Sequence, residues 1–373
     1  MKIKIGITGQ DGFVGQHLYN NLGLFSDDFE RVPFRKDFFQ NEERLNLFIT
    51  KCEVIIHLAA VNRHHEPKVI YETNIELVKK LISGLNQTKS KAHIIFASST
   101  QEEGESPYGI SKKEGRKAFA QWAIESGGKF SGLIIPNVFG PFGLPNYNSF
   151  ISTFCHQLCN DELPIINQDN LVKLIYIDDL IKVFIDEVRS GKGTEMVNID
   201  ASDEFMVSSV LNKLKGYQSQ YLVSGVIPEM KTSFELNLFN TFRSYINIKN
   251  HFPFRMIRHS DSRGGFVEVI REKQGGQVSF STTLPGITRG NHFHTRKIER
   301  FAVIKGKAII RLRKIGSDEI QVFYLNESEP AYVDIPIWHT HNISNIGDEE
   351  LYTVFWISEF YDPCNPDTFI EQV

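Results

Sequence analysis

Apolar positions along this chain follow two different periods, and the change between them divides it. Residues 2–8, KIKIGIT, alternate as a strand does. The glycine-rich turn Gly9-Gln-Asp-Gly12-Phe13-Val14-Gly15 follows, and QHLYNNL then takes up helical spacing. Short apolar runs recur at EVIIHLAA (53–60), HIIFASS (93–99) and GLII (132–135), with helical patterns such as SPYGISKKEGRKAFAQWA among them. Strands alternating with helices predict an α/β Rossmann-type, doubly wound parallel sheet. Two further helices are expected at 204–216 and 229–242. From 245 to 260 no regular helix is expected. Beyond that the period is two: QVSFSTT, RFAVIKGKAIIRLRK, EIQVFYLN and LYTVFWISEF are split by Gly, Asn and Asp turns. That pattern predicts a C-terminal all-β barrel. The expected domains are 1–245 and 246–373, divided near Tyr245.

Composition narrows the class. At 373 residues the chain is long enough for two or three cores. Hydrophobic residues make up 41% and charged residues 23%, with a net charge of −4, which favours neither nucleic acid nor an anionic membrane as partner. The N-terminus is already a strand, and no apolar run is long enough for a membrane helix, so a cytoplasmic location is expected. Cys52, Cys155, Cys159 and Cys364 are then reduced thiols. Cys155 and Cys159 flank His156, but CxxxC is a poor metal template.

Candidate chemistry clusters at strand ends. The glycines Gly9, Gly12 and Gly15, with Phe13 and Val14 between them, form a turn that lets a pyrophosphate approach a helix N-terminus. Past the second strand, Arg35 and Lys36 stand where an acid would hold a ribose 2′-hydroxyl, so a 2′-phosphate, hence NADPH, is the expected guest. Asn62 and Arg63 follow a strand's carboxyl end, where ligands bind in such sheets. Tyr108 and Lys112 are at i and i+4 on one helix face. The lysine is expected to lower the phenol's pKa. Tyr108 would then give a proton to a carbonyl oxygen held by Ser99, with Thr100 as the competing hydroxyl.

This half resembles the extended short-chain dehydrogenase/reductases, in GxxGxxG, HLAA and the Ser99…Tyr108-x-x-x-Lys112 set. The resemblance places Leu58, Ala59 and Ala60 beside the cofactor and Asn137 toward a sugar nucleotide, with Asn146, Tyr147 and Asn148 nearby. Asp178 or Asp179 is expected to cap a helix. Val172 stands where the family often has a phosphate-binding arginine.

In the barrel, His292 and His294 share one strand face. Glu299 and His341 can join them as four N/O ligands of a divalent metal, zinc being favoured. This spacing resembles the cupin (jelly-roll) barrels, except that Trp338 replaces a usual glycine. Asp261-Ser-Arg263-Gly264 and Arg289-Gly290-Asn291-His292 resemble the deoxysugar-nucleotide epimerases. That resemblance makes Arg263 a phosphate contact, Arg289 a substrate contact and His292 a base. His292 therefore carries two readings, ligand and base. His339 is a further base, a substitute ligand or neither.

The fusion as a whole resembles the CapF/WbjC-type bifunctional polysaccharide enzymes. It implies C-3 epimerisation of a UDP-4-keto-6-deoxy-N-acetylhexosamine by the cupin and NADPH reduction at C-4 by the other domain. The product would be UDP-2-acetamido-2,6-dideoxy-L-talose, a UDP-N-acetyl-L-fucosamine precursor for capsule or O-antigen. By analogy a homodimer or homotetramer is expected. Two alternatives stay open: a single-activity 4-ketoreductase with a structural cupin, and a non-enzymatic NADP-sensing regulator.

Overall fold

The computed structural model describes residues 2–193 and 195–373. Contacts divide the chain into two compact units, one running to Thr153 and including Ile166–Ser208, the other made of Phe154–Ile165 and Ser209–Val373.

The first unit is built on a parallel sheet. Its strands are β1 (Ile3–Thr8), β2 (Phe29–Val32), β3 (Val54–His57), β4 (His93–Ser99) and β5 (Lys129–Ile135). A smaller group follows: β6 (Asn137–Phe139), β7 (Leu171–Tyr176), β8 (Val197–Asn198) and β9 (Asp203–Met206). Among the described residues the main sheet runs β2-β1-β3-β4-β5-β8, every pair parallel. Ile5, Ile55, Ile94 and Leu133 are essentially sealed from water, as strands covered by helices on both faces must be. The strand order reverses between β1 and β3, which opens a crevice at their carboxyl ends. Gly9 has φ +78°, and a Cβ there would lie 2.8 Å from the Ala59 backbone nitrogen. Only glycine lets the two strand ends approach that closely.

Three local expectations change. Residues 203–206 are strand, because β9 pairs antiparallel with β7 (Val172 opposite Phe205), and the helix starts only at Val207. Asp178 and Asp179 do not cap: the N-cap of helix Ile177–Ser190 is Tyr176, without a side-chain bond. The two acids sit in the first turn, where they complement the helix dipole. A short helix, Ile248–His251, interrupts the stretch expected to hold none.

The second unit is a two-sheet barrel. Its strands are β10 (Phe254–Arg255), β11 (Arg258–Asp261), β12 (Gly264–Val267), β13 (Gln277–Thr283), β14 (Thr288–Phe293) and β15 (Glu299–Lys305). Then come β16 (Lys307–Lys314), β17 (Ile320–Asn326), β18 (Ala331–Ile335), β19 (His339–Asn345), β20 (Leu351–Ile357) and β21 (Phe369–Ile370). The sheets run β10-β18-β15-β20-β13 and β17-β16-β19-β14-β21, with β11–β12 a separate hairpin. Ala302, Ile310, Leu312, Val333 and Ile343 belong to the core that they share.

The strand-rich pattern begins at Phe254, past the boundary expected near Tyr245, whereas the contact division falls earlier. Residues from the helical stretch explain that difference. Arg300 on β15 lies opposite Asp334 on β18 and binds it through two bonds of 2.7 and 2.9 Å. Their exposures are 1% and 0%. Tyr221 donates to the same carboxylate at 2.6 Å, and Arg243 donates to Tyr221 and to the Ile335 carbonyl.

The turn entering β19 carries Trp338 at φ +59°, the left-handed region where glycine is at ease. Its N–H donates to the His294 carbonyl at 2.7 Å, and its indole stacks on Phe293, with ring centres 5.5 Å apart. Left-handed backbone costs a non-glycine residue about 1–2 kcal/mol, while removing a buried indole costs about 3–5. Packing therefore outweighs strain.

Two stability measurements follow from these contacts. Asp334→Asn leaves the Arg300 guanidinium buried without its counter-ion, so chemical denaturation should show the second unit destabilised by about 3–5 kcal/mol. Trp338→Gly relieves the strain but loses the indole, and should destabilise the same unit by about 2–3 kcal/mol. A gain in stability would contradict the packing argument.

Candidate functional site

The crevice at the β1/β3 reversal holds a cavity of about 660 Å³. Gly9, Gly12, Phe13, Val14, Gly15, Leu58 and Ala60 line it, as expected of a cofactor cradle. Ser99, Tyr108 and Lys112 line it too, together with Asn62, Arg63 and Asn137. Ala59 instead lies with its backbone against Gly9. Arg35 stands outside the lining, exposed past β2, its Nε 3.3 Å from Asp37. Thr100 is exposed and does not line the cavity, whereas Ser99 does. Tyr147 and Asn148 face the cavity, whereas Asn146 uses its backbone N–H on Thr153.

Helix Pro107–Ser126 presents Tyr108 and Lys112 along one face, its start capped by Ser106, which accepts from the Gly109 N–H. Lys112 is 4% exposed and donates to the Ala97 carbonyl at 2.9 Å. Burial pulls its ammonium down to about 8, with Glu102 opposing. The expected fall in the Tyr108 pKa is reversed. Burial pushes the phenol up, and Tyr147 adds to the rise. The Lys112 nitrogen stands 5.6 Å from the centre of the Tyr108 ring and is engaged by Ala97, so desolvation wins. The phenol is thereby kept in its proton-donating form. Beneath, Glu102 receives Ser98 and a bidentate Arg116, a buried pair that the sequence reading missed.

The barrel encloses a second cavity, of about 410 Å³. Phe301, Phe355, Ile310, Ile335 and Ile343 supply apolar wall, and Arg289, Asn342 and Ser281 supply polar groups. His292, Glu299 and His341 also line it. One donor atom from each of His292, His294, Glu299 and His341 lies within 4.8 Å of all the others. Glu299 Oε2 is 3.1 Å from both His294 Nε2 and His341 Nε2. Those three atoms are buried, and none completes a hydrogen bond of ordinary geometry. Such orphans are costly unless something else satisfies them.

Backbone geometry brings the set together. A bulge between Gly290 and His292 shifts the β14 register against β19. Gly290 has φ +103°, and a Cβ there would lie 2.8 Å from the His341 carbonyl. Burial pushes His292 down to about 4, reinforced by His341 and His294. Burial alone would raise the Glu299 carboxyl, but the His294 and His341 imidazoles, each 3.1 Å away, hold it well below the usual range. His294 is lowered by burial and raised more by Glu299, ending above its ordinary value. Three imidazole nitrogens and a carboxylate suit a divalent metal, so the residues fit the expected ion.

His339 stays outside this set: its Nδ1 lies 3.0 Å from the Ile337 carbonyl, and burial pushes the ring down to about 4. Arg263 sits on the exposed β11–β12 hairpin, folded onto Asp261 at 2.6 Å, and does not line the cavity. Sequence reasoning also missed Asp367, whose backbone oxygen meets His294. The acid in Pro366-Asp367-Thr368 was its only signal. All four cysteines are free, as expected. Among the described residues no helix is long and apolar enough to cross a membrane.

Residues 5–200 match the NAD dependent epimerase/dehydratase family, and residues 259–369 match the polysaccharide biosynthesis C-terminal domain. A Pseudomonas aeruginosa relative, UDP-2-acetamido-2,6-beta-L-arabino-hexul-4-ose reductase, is 31% identical over 371 residues, 98% of each chain. The crystal structure of the capsular polysaccharide assembling protein CapF from Staphylococcus aureus covers all of both chains, at 32% identity and a TM-score of 0.60. The spore coat polysaccharide biosynthesis protein SpsL of Bacillus subtilis is 28% identical over 123 residues, 30% of this chain and 82% of that protein. The chain therefore belongs to the NAD dependent epimerase/dehydratase family, in a CapF-like branch whose second domain matches the polysaccharide biosynthesis C-terminal domain.

Proposed function

We propose that the chain is a two-step nucleotide-sugar enzyme. Its barrel epimerises a UDP-4-keto-6-deoxy-N-acetylhexosamine at C-3, and its first unit reduces the C-4 ketone with NADPH. The observation that carries this reading is the buried, unsatisfied donor set at an apolar cavity that also presents Arg289. The Pseudomonas relative, named as the reductase of a 4-ketohexose nucleotide, supports the substrate class.

The C-4 ketone makes the C-3 proton acidic, and negative charge gathers on the ketone oxygen when that proton leaves. A divalent ion held by the cluster would supply positive charge to stabilise that oxygen. His294, Glu299 and His341 would be the inner holders, since their donor atoms are sealed and complete no hydrogen bond. His292 is the least buried of the four and lines the cavity. Among the lining residues, only His292, Glu299 and His341 can take a proton, so the base belongs to the cluster. Arg289 pairs with the nucleotide's phosphates or the developing charge. Phe301 and Phe355, stacked with ring centres 5.4 Å apart, keep water from the carbanion.

In the first unit bound NADPH would supply the hydride. Ser99 holds the C-4 oxygen, and Tyr108, kept protonated by burial, gives it a proton. Lys112 sets a positive charge beside the phenolate that remains. Arg35, a cation past β2, favours the 2′-phosphate cofactor. Both steps act on one ketone, which gives the fusion a chemical logic. A second reading, a reductase with a structural cupin, is favoured by the Pseudomonas relative being named for reduction alone.

Incubating the enzyme with the UDP-4-keto sugar in heavy water separates these readings. The two-step reading expects deuterium at C-3 without NADPH, then NADPH oxidation once it is added. Absent exchange with intact NADPH oxidation leaves only the structural cupin. Exchange that survives removal of metal by a chelator shows that proton removal needs no ion, and exchange restored only by metal shows that the ion takes part.

Lys112 generates a prediction in which stability and activity move in opposite directions. Its folded pKa, about 8, lies below the ordinary 10.5, so the unfolded chain binds more protons between those values. The cost is fully present below pH 8 and is relieved as pH rises toward 10.5. It amounts to roughly 3 kcal/mol, against about 1 for the bond to Ala97. Lys112→Met should therefore stabilise the first unit by about 1–2 kcal/mol at pH 7 and slow ketone reduction at least ~100-fold. Denaturation and NADPH oxidation check the two halves.

A further inference from the structure

The segment after β20 returns to the barrel's ligand strands. Asp367 is 4% exposed and has φ +42°. Its backbone oxygen accepts from His294 Nδ1 at 2.5 Å. An imidazole that donates through Nδ1 keeps a lone pair on Nε2, the atom 3.1 Å from Glu299. Its carboxylate accepts from Thr295 Oγ1 at 2.6 Å and from the N–H groups of Thr295, Arg296 and Lys297 at 3.0–3.1 Å. Those three residues begin the link from His294 to Glu299. Farther on, β21 pairs with His292 and Phe293. The Glu371 N–H donates to the Asn291 carbonyl, and its own carbonyl accepts from Thr340, the neighbour of His341.

We infer that Pro366–Glu371 is a strap that positions the metal ligands, with Asp367 the positioning residue that fixes the tautomer and aim of His294. This rests on the metal reading of the cluster. The carboxylate is spent on four donors, three of them backbone, so it holds the connecting turn rigid and places the Asp367 carbonyl under His294. Hydrogen-bond partners of this kind typically contribute 10–100-fold in metal affinity. An Asp at φ +42° is tolerated here because its side chain and carbonyl are both engaged.

The test measures zinc affinity of the full chain by competition with a chromophoric chelator, and the visible spectrum of the cobalt-loaded protein. Asp367→Asn keeps the size but presents an amide NH2 to backbone donors. It should bind zinc about 10–100-fold more weakly and shift the cobalt bands. Thr295→Val removes only the 2.6 Å hydroxyl bond, leaves the backbone bonds in place, and should weaken binding to an intermediate degree. It serves where the Asn variant does not fold. Wild-type affinity and an unchanged cobalt spectrum in a folded variant overturn the strap and leave the metal site standing. A wild-type chain that takes up neither ion overturns the metal reading and the strap with it.

Discussion

β15 carries two buried charges on consecutive residues, and the barrel depends on both finding partners. Glu299 and Arg300 are 5% and 1% exposed. A strand turns neighbouring side chains to opposite faces, so the two cannot satisfy each other. Glu299 meets the imidazoles of His294 and His341. Arg300 donates to Asp334 and to the Gly225 carbonyl, and Tyr221 donates to the same Asp334 carboxylate. A slip of one residue in the β15/β18 register would send each charge to the wrong face, where nothing answers it. The ion pair therefore adds specificity more than net stability, since buried pairs are expensive to desolvate. The helical stretch that supplies Tyr221 and Arg243 completes this arrangement, which is why it partitions with the barrel.

The first unit applies the same physics with the opposite outcome. Lys112 is buried without a carboxylate partner at hydrogen-bond distance and gives up part of its basicity instead. Tyr108 responds to the same dry surroundings by holding its proton more tightly. The crevice thus stores an unfavourable charge beside a protonated phenol. That combination is unhelpful for folding and suited to handing a proton to a reduced ketone.

Features written at fixed short spacing were legible in the sequence. His292 and His294 at i and i+2, Tyr108 and Lys112 at i and i+4, and the glycine turn after β1 each follow from the period of one element. The parallel sheet and the barrel were legible for the same reason. What escaped depends on distant partners. Asp334 and Arg300 are ordinary surface residues until β15 and β18 pair. Asp367 is one more acid in a loop until the chain returns to β14. The helix expected from 204 loses its first three residues to β9, which β7 captures. The Tyr108 shift was misjudged because a nearby cation is visible in sequence and the depth of burial is not.

Trp338 and Asp367 show how the cluster tolerates departures from its expected pattern. Both have positive φ, and both meet His294 through the main chain: Trp338 donates to its carbonyl, and Asp367 accepts from its ring. His294 is thus held at its backbone and at its side chain by two residues in conformations that L-amino acids avoid. His292 has a backbone pairing with β21 and a ring that faces the cavity. The four donors are therefore graded by burial: His294, Glu299 and His341 are sealed, while His292 is half-buried at the cavity wall. In the proposed reaction His294, Glu299 and His341 would hold the ion, and His292, facing the cavity, is the imidazole placed to meet the C-3 proton.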